Sequence, residues 1–179
     1  MTKDSIKFLK FTNPTKGELL FAEVLKEVVE FMKLDPRAHY RVMIGSDSNG
    51  YGLLDLVSVI AVHRVGNGGR YFWFRQTKEN IKTLRQKIYA EVQASLDLAS
   101  LFLPAFRGEL EKVEDEWLAR HSLGEGGPFD FQIHVDVGAK GETRDLIHEV
   151  TGMVTAHGYD VLVKPESAAA TTLADKHVK

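Results

Sequence analysis

Apolar residues change period several times along the chain, and each change predicts an element. Leu20, Val24, Val28 and Phe31 recur at helical spacing and predict a helix over residues 16–33. Thr15 and Glu18 have the spacing of a capping box, and Asp35-Pro36 stops the helix. Strands are predicted at 40–47, at 54–65, where the run is apolar on both faces, and at 70–76. Gly66-Asn67-Gly68-Gly69 is a hairpin signal between the last two. A long helix is expected over 79–103, ended by Pro104. A second helical pattern follows at 108–121, with Leu110, Val113, Trp117 and Leu118 on one side, then a GEGGP loop at 124–128. The next strand, 129–137, alternates strictly. Phe129, Phe131, Ile133, Val135 and Val137 take one face, and Asp130, Gln132, His134 and Asp136 the other. A helix over 142–157 buries Leu146, Ile147, Val150 and Val154 and is capped by Gly158. A strand at 159–164 and a helix from 168 onward complete the chain. Hairpins first and helical crossovers later imply an α/β protein with a mixed five-stranded sheet and helices on its faces.

Composition narrows this little. Hydrophobic residues make up 44% and charged residues 27%, as in a globular domain, and no apolar run is long enough to span a bilayer. No membrane partner is expected. The first residues lack a signal-peptide pattern, so a cytoplasmic location is expected. There is no cysteine, which excludes disulfides, thiolate metal sites and thiol nucleophiles. The net charge of −2 is no whole-surface footprint for nucleic acid. It is unevenly spread, however. Between His63 and Lys87 the basic residues Arg64, Arg70, Arg75, Lys78, Lys82, Arg85 and Lys87 meet one acid, Glu79. This run is either a solvated surface or a local phosphate-tracking face, for which Arg70, Arg75, Lys78, Lys82 and Arg85 are the candidates.

The candidate chemistry lies in four carboxylates. In RVMIGSDSNG, Asp47 appears where an apolar strand stops; such a position suits a turn, and it also suits a site. Asp136 repeats the feature in HVDVG. If the two strands are parallel neighbours, the two aspartates lie side by side. Glu91 falls in the same helical sector as Leu84, Ile88, Ser95 and Phe102, on the core face. A glutamate there must pair with a basic side chain or bind a metal. Asp175 follows a run of small residues that would let its helix approach a sheet closely; alone, it reads as a surface charge. Together, four hard oxygen donors suit Mg²⁺ or Mn²⁺. Two such ions can clamp the attacking and leaving oxygens of a phosphodiester. His134 shares a face with Asp136 and His177 lies beside Asp175; each is a structural histidine or an auxiliary that orders water or moves a proton.

At this point the sequence resembles the ribonuclease H-like superfamily and, more narrowly, the bacterial YkuK-type family. The motifs are IGSDSN at 44–49, VHRVGNGGRYF at 62–72, LRQKIYAEVQASL at 84–96, HVDVGAKGETRDLI at 134–147, EVTGMVTAHGY at 149–159 and KPESAAATTLADKH at 164–177. The resemblance implies a ribonuclease H-like fold with sheet order 3-2-1-4-5. Residues 1–38 would be an N-terminal helical extension, and 39–179 the domain, with a helical insertion at about 104–128. It implies a nuclease-like enzyme with two Mg²⁺ or Mn²⁺ ions acting on RNA, DNA or a hybrid. Asp47 would bridge both ions, Glu91 and Asp136 would hold one, and Asp175 the other, with Gly45, Ser46 and Ser48 leaving room for them. Asn49 stands where proofreading-type exonucleases of the superfamily carry a glutamate, which argues against that subgroup. The alternatives are a non-catalytic nucleic-acid or protein-binding module on the same fold, and an ATP-binding protein of the actin and sugar-kinase type. For the latter, GAKGE at 138–142 is the one phosphate-binding hint.

Overall fold

The computed structural model describes residues 8–112, 129–138 and 143–178, with the side chains of 168–171 excepted. Among these residues one mixed sheet carries seven strands in the order β2-β1-β5-β4-β3-β6-β7. The strands are β1 (Lys10–Asn13), β2 (Gly17–Leu20), β3 (Tyr40–Asn49), β4 (Gly52–Arg64), β5 (Gly69–Ile81), β6 (Phe129–Gly138) and β7 (Asp160–Lys164). The helices are α1 (Phe21–Lys33), α2 (Leu84–Glu111), α3 (Ile147–Ala156) and α4 (Ala168–Val178). The last five strands stand in the expected 3-2-1-4-5 order. β3 pairs antiparallel with β4 and parallel with β6, which in turn pairs parallel with β7. No helix among the described residues is long and apolar enough to cross a membrane.

The two extra strands replace the start of the predicted first helix. Asn13 organises the turn between them: its side-chain oxygen accepts from Thr15 and Lys16 N–H, and its amide donates to Tyr71 carbonyl on β5. Glu18 pairs across the hairpin with Lys10 and does not cap a helix with Thr15. Phe11 is fully buried against Phe74 and Phe21, which fixes the hairpin to the sheet edge. The helix begins one turn later, where the Glu23 carboxylate accepts the Leu20 N–H at 2.6 Å.

The other boundaries shift for local reasons. β5 continues to Ile81 because Asn80 takes a left-handed φ of 64° and absorbs one extra residue as a bulge opposite Gly52 and Leu53. α2 therefore starts at Leu84, behind a capping box in which Thr83 and Gln86 bond each other's backbone N–H. It also runs through Pro104, which was expected to end it. An interior proline costs about 3 kcal/mol. Continuing the helix buries Phe106 and Leu110, each worth about 1.5–3 kcal/mol, which outweighs that cost. The predicted helix at 108–121 thus supplies the last turn of α2 as far as Glu111; its remainder, the GEGGP loop and residues 139–142 of GAKGE lie outside the described residues.

Two apolar layers cover the sheet. On one face Val42, Ile44, Ile60, Val62, Phe72, Phe74, Ile133, Val135 and Val137 pack under α1, α2 and α3. On the other, Met43, Val57, Val59 and Ala61 meet Ala174 and Val178 of α4. Alternation along β3 therefore sends Ser46 and Ser48 toward α2, and Asp47 toward α4.

Candidate functional site

Asp47 and Asp136 reach one place from neighbouring strands. The last described rung of the parallel ladder joins Gly45 to His134. Two residues further along each strand, Asp47 and Asp136 face the same side, and their charges repel. Asp175, on α4 over that face, also acts on Asp47. Burial first, then these two carboxylates, raise the Asp47 pKa, while a Ser48 backbone hydrogen bond and the Lys87 charge pull the other way.

Glu91 comes from the opposite layer. It is 7% exposed, on the same buried face as Ile88, Ser95 and Phe102. The Ser48 hydroxyl donates to its Oε1 at 2.5 Å. Behind it, Ser95, Ser46 and Ser58 form a buried chain of hydroxyls from α2 through β3 to β4, with steps of 2.9 Å. The serines of the SDS motif thus have a different task from the one expected: they fasten α2 to β3 and hold Glu91. Burial, with the added repulsion of Asp47 and Asp136, pushes the Glu91 pKa up to about 8, against the opposing pull of Ser48 and Lys87.

Two cations at the site had escaped the sequence-based candidates. Lys164, at the end of β7, places Nζ 2.6 Å from Asp136 Oδ1. Asp136, Asp47 and Asp175 all stabilise its charged form. Lys87, one turn before Glu91, acts on Glu91 and Asp47 through its field. The signal for Lys164 was its position: a charge ending an apolar strand, as Asp47 and Asp136 do. The signal for Lys87 was its i, i+4 spacing to Glu91.

Both candidate histidines make contacts that hold the fold together. His134 is 2% exposed, its Nδ1–H donates to Ser167 carbonyl at 3.0 Å, and burial lowers its pKa. His177 stacks on Trp73, with ring centroids 4.5 Å apart and planes within 13°. Arg75 donates to the His177 carbonyl, so this residue anchors α4 and with it Asp175.

The basic candidates divide. Arg70 is bound to Glu27 at 2.8 Å and packs on Phe31. It pairs with Val62, five rungs from the Val57 that faces Asp47, which is about 17 Å along the strand. It does not join the site. Arg75 lies in the same cross-strand row as Asp47, with Val57 between them, but is held by Asp55. Arg85 makes a two-pronged pair with Glu149, at 2.7 and 3.0 Å. Lys78 and Arg85 line a shallow groove of about 480 Å³ beside Tyr89, and Lys82 is exposed just before α2.

Among the described residues no three His, Asp or Glu side chains converge as a ready-made metal-holding group. The donor chemistry nonetheless fits a hard divalent cation. Four carboxylates share one end of the sheet, two with pKa values raised by burial and mutual repulsion, and a lysine ammonium already offsets part of their charge.

Comparison with known proteins agrees with this architecture. A family model described as ribonuclease H-like matches residues 23–179. The chain is 33% identical over 171 residues to the uncharacterized protein YkuK of Bacillus subtilis (strain 168), covering 94% of this chain and 96% of that protein. No solved structure matches.

Proposed function

The chain belongs to the ribonuclease H-like family, and from that premise we propose that it is a divalent-metal-dependent nuclease that hydrolyses phosphodiester bonds in RNA, DNA or a hybrid. The observation that carries this reading is Glu91. A carboxyl group buried on a helix's core face, with two aspartates near enough to raise its pKa further, costs more than its single hydrogen bond from Ser48 returns. Asp47, Glu91, Asp136 and Asp175 would hold the cations. When bound, two divalent ions supply the Lewis acidity that activates water and stabilises a leaving oxygen. The chain's own contribution is positioning. Ser48 holds Glu91, the β3–β6 ladder sets Asp47 beside Asp136, and the His177–Trp73 stack brings Asp175 over the sheet. Lys78 and Lys82 offer charge for the substrate backbone.

The test is a titration of Mg²⁺ and Mn²⁺ against single-stranded, duplex and hybrid substrates, with Asp47→Asn as control. Metal-dependent cleavage lost in the variant supports the reading. No cleavage of any substrate, or equal cleavage by the variant, refutes it. A second reading, a binding module without catalysis, is favoured by the ion pairs that already engage Asp136, Arg75 and Arg85. It predicts nucleic-acid binding that Asp47→Asn leaves intact and metals do not change.

A further inference from the structure

The Asp136 carboxylate has a partner carried by the chain itself. Lys164 Nζ sits 2.6 Å from Oδ1, with the lysine side chain 57% exposed and the aspartate 27%. Among the described residues, no other cation stands within ion-pair distance of Asp47, Glu91, Asp136 or Asp175. β7 delivers Lys164 because it runs parallel to β6 and ends where β6 ends, with Gly138 opposite Lys164. An ammonium and a divalent ion cannot both lie against one carboxylate oxygen without strong like-charge repulsion. The lysine stem is flexible and its exposed side opens to solvent, so the ammonium has somewhere to go.

We propose that Lys164 is a tethered competitor for the divalent site, its ammonium occupying the place beside Asp136 that a metal ion takes and leaving it when metal loads. The inference rests on the metal-dependent reading above. Its consequence is a threshold. At low metal the lysine neutralises part of the cluster, and loading requires enough free cation to displace it.

The test is calorimetric titration of Mn²⁺ and of Mg²⁺ into the full chain, its Lys164→Met, Lys164→Gln and Lys164→Arg variants, and Lys87→Met. Lys87 acts on the cluster through its field without a close ion pair, so its variant measures the effect of charge alone. Lys164→Met and Lys164→Gln should bind metal about two- to fivefold tighter than the parent, the scale of a partly exposed ion pair. Lys164→Arg should stay near the parent, and Lys87→Met should gain less. Unchanged affinity in both uncharged Lys164 variants, or a gain no larger than that of Lys87→Met, overturns the competitor role while metal binding by the parent keeps the nuclease reading alive. Absence of metal binding in every protein overturns both.

Discussion

Replacing Glu91 with glutamine should change how stability depends on pH more than it changes stability itself. Glu91 titrates near 4.5 in an unfolded chain and at about 8 in the folded one. Between those values the native state holds a proton that the unfolded state has released. Stability therefore falls as pH rises through this window. The penalty is about 1 kcal/mol at pH 5, about 3 kcal/mol at pH 7, and approaches about 5 kcal/mol above pH 8, as an order of magnitude. Glutamine carries no such penalty at any pH. Its amide can keep the Ser48 contact through its oxygen, but its two N–H donors enter a buried site and cost roughly 1–3 kcal/mol if unmatched. That cost is constant with pH, so the informative quantity is the difference between parent and variant as pH changes. In chelator, thermal melts at pH 5, 6, 7 and 8 should show the variant gaining on the parent by roughly 4–8 °C between pH 5 and 7. Adding Mn²⁺ should shrink that gain, because a cation favours the ionised glutamate. A parent–variant difference that is flat in pH, or that grows in the parent's favour, refutes the description of Glu91 as an unpaired buried acid.

Other expectations follow from the same geometry. Asp47→Asn removes a carboxylate that burial and two neighbours disfavour, so in chelator at pH 7.5 it should melt at or above the parent temperature. With metal at about 100 times its Kd, the parent should gain about 2.7 kcal/mol and the variant much less, and equal gains would place the metal elsewhere. His177→Ala removes the ring stacked on Trp73, worth about 1 kcal/mol, and should speed amide exchange across residues 172–178 before the rest of the fold. Unchanged exchange there would show that Ala174 and Val178 suffice to dock α4. Lys78→Ala with Lys82→Ala should flatten the salt dependence of nucleic-acid binding by roughly one to two units of slope, whereas Arg70→Ala should leave it unaltered. A comparable effect at Arg70 would move the binding surface to the far end of β5.

Periodicity made the central elements legible because tertiary packing agrees with it. β4 reads as apolar on both faces and is buried on both; β6 alternates and presents Val135 and Val137 to one layer and Asp136 to the other. Glu91 was readable for the same reason, as a charge inside an apolar sector. The misreadings come where a local signal had two uses. Thr15 and Glu18 have capping-box spacing, but Asn13 closes a hairpin over them and Phe11 finds a pocket between Phe74 and Phe21. Pro104 signals a stop, but the buried Phe106 and Leu110 outweigh it. Such contacts depend on partners some tens of residues away, which no local window contains.

The cations were harder to read than the carboxylates for a physical reason. A buried acid contradicts its surroundings and so stands out against a hydrophobic pattern. A lysine that ends a strand contradicts nothing, since its long stem can lie on apolar surface while its head reaches water. Lys164 acquires a role only through the parallel pairing of β7 with β6, which carries it to the same edge as Asp136. Parallel neighbours end together, so charges at the ends of successive parallel strands should be considered as one group, whatever their sign. By that rule Asp47, Asp136 and Lys164 form a row across β3, β6 and β7, in which the outermost charge opposes the two before it. The carboxylates alone would describe an uncompensated negative cluster; the lysine at the end of the row offsets part of that charge from within the fold.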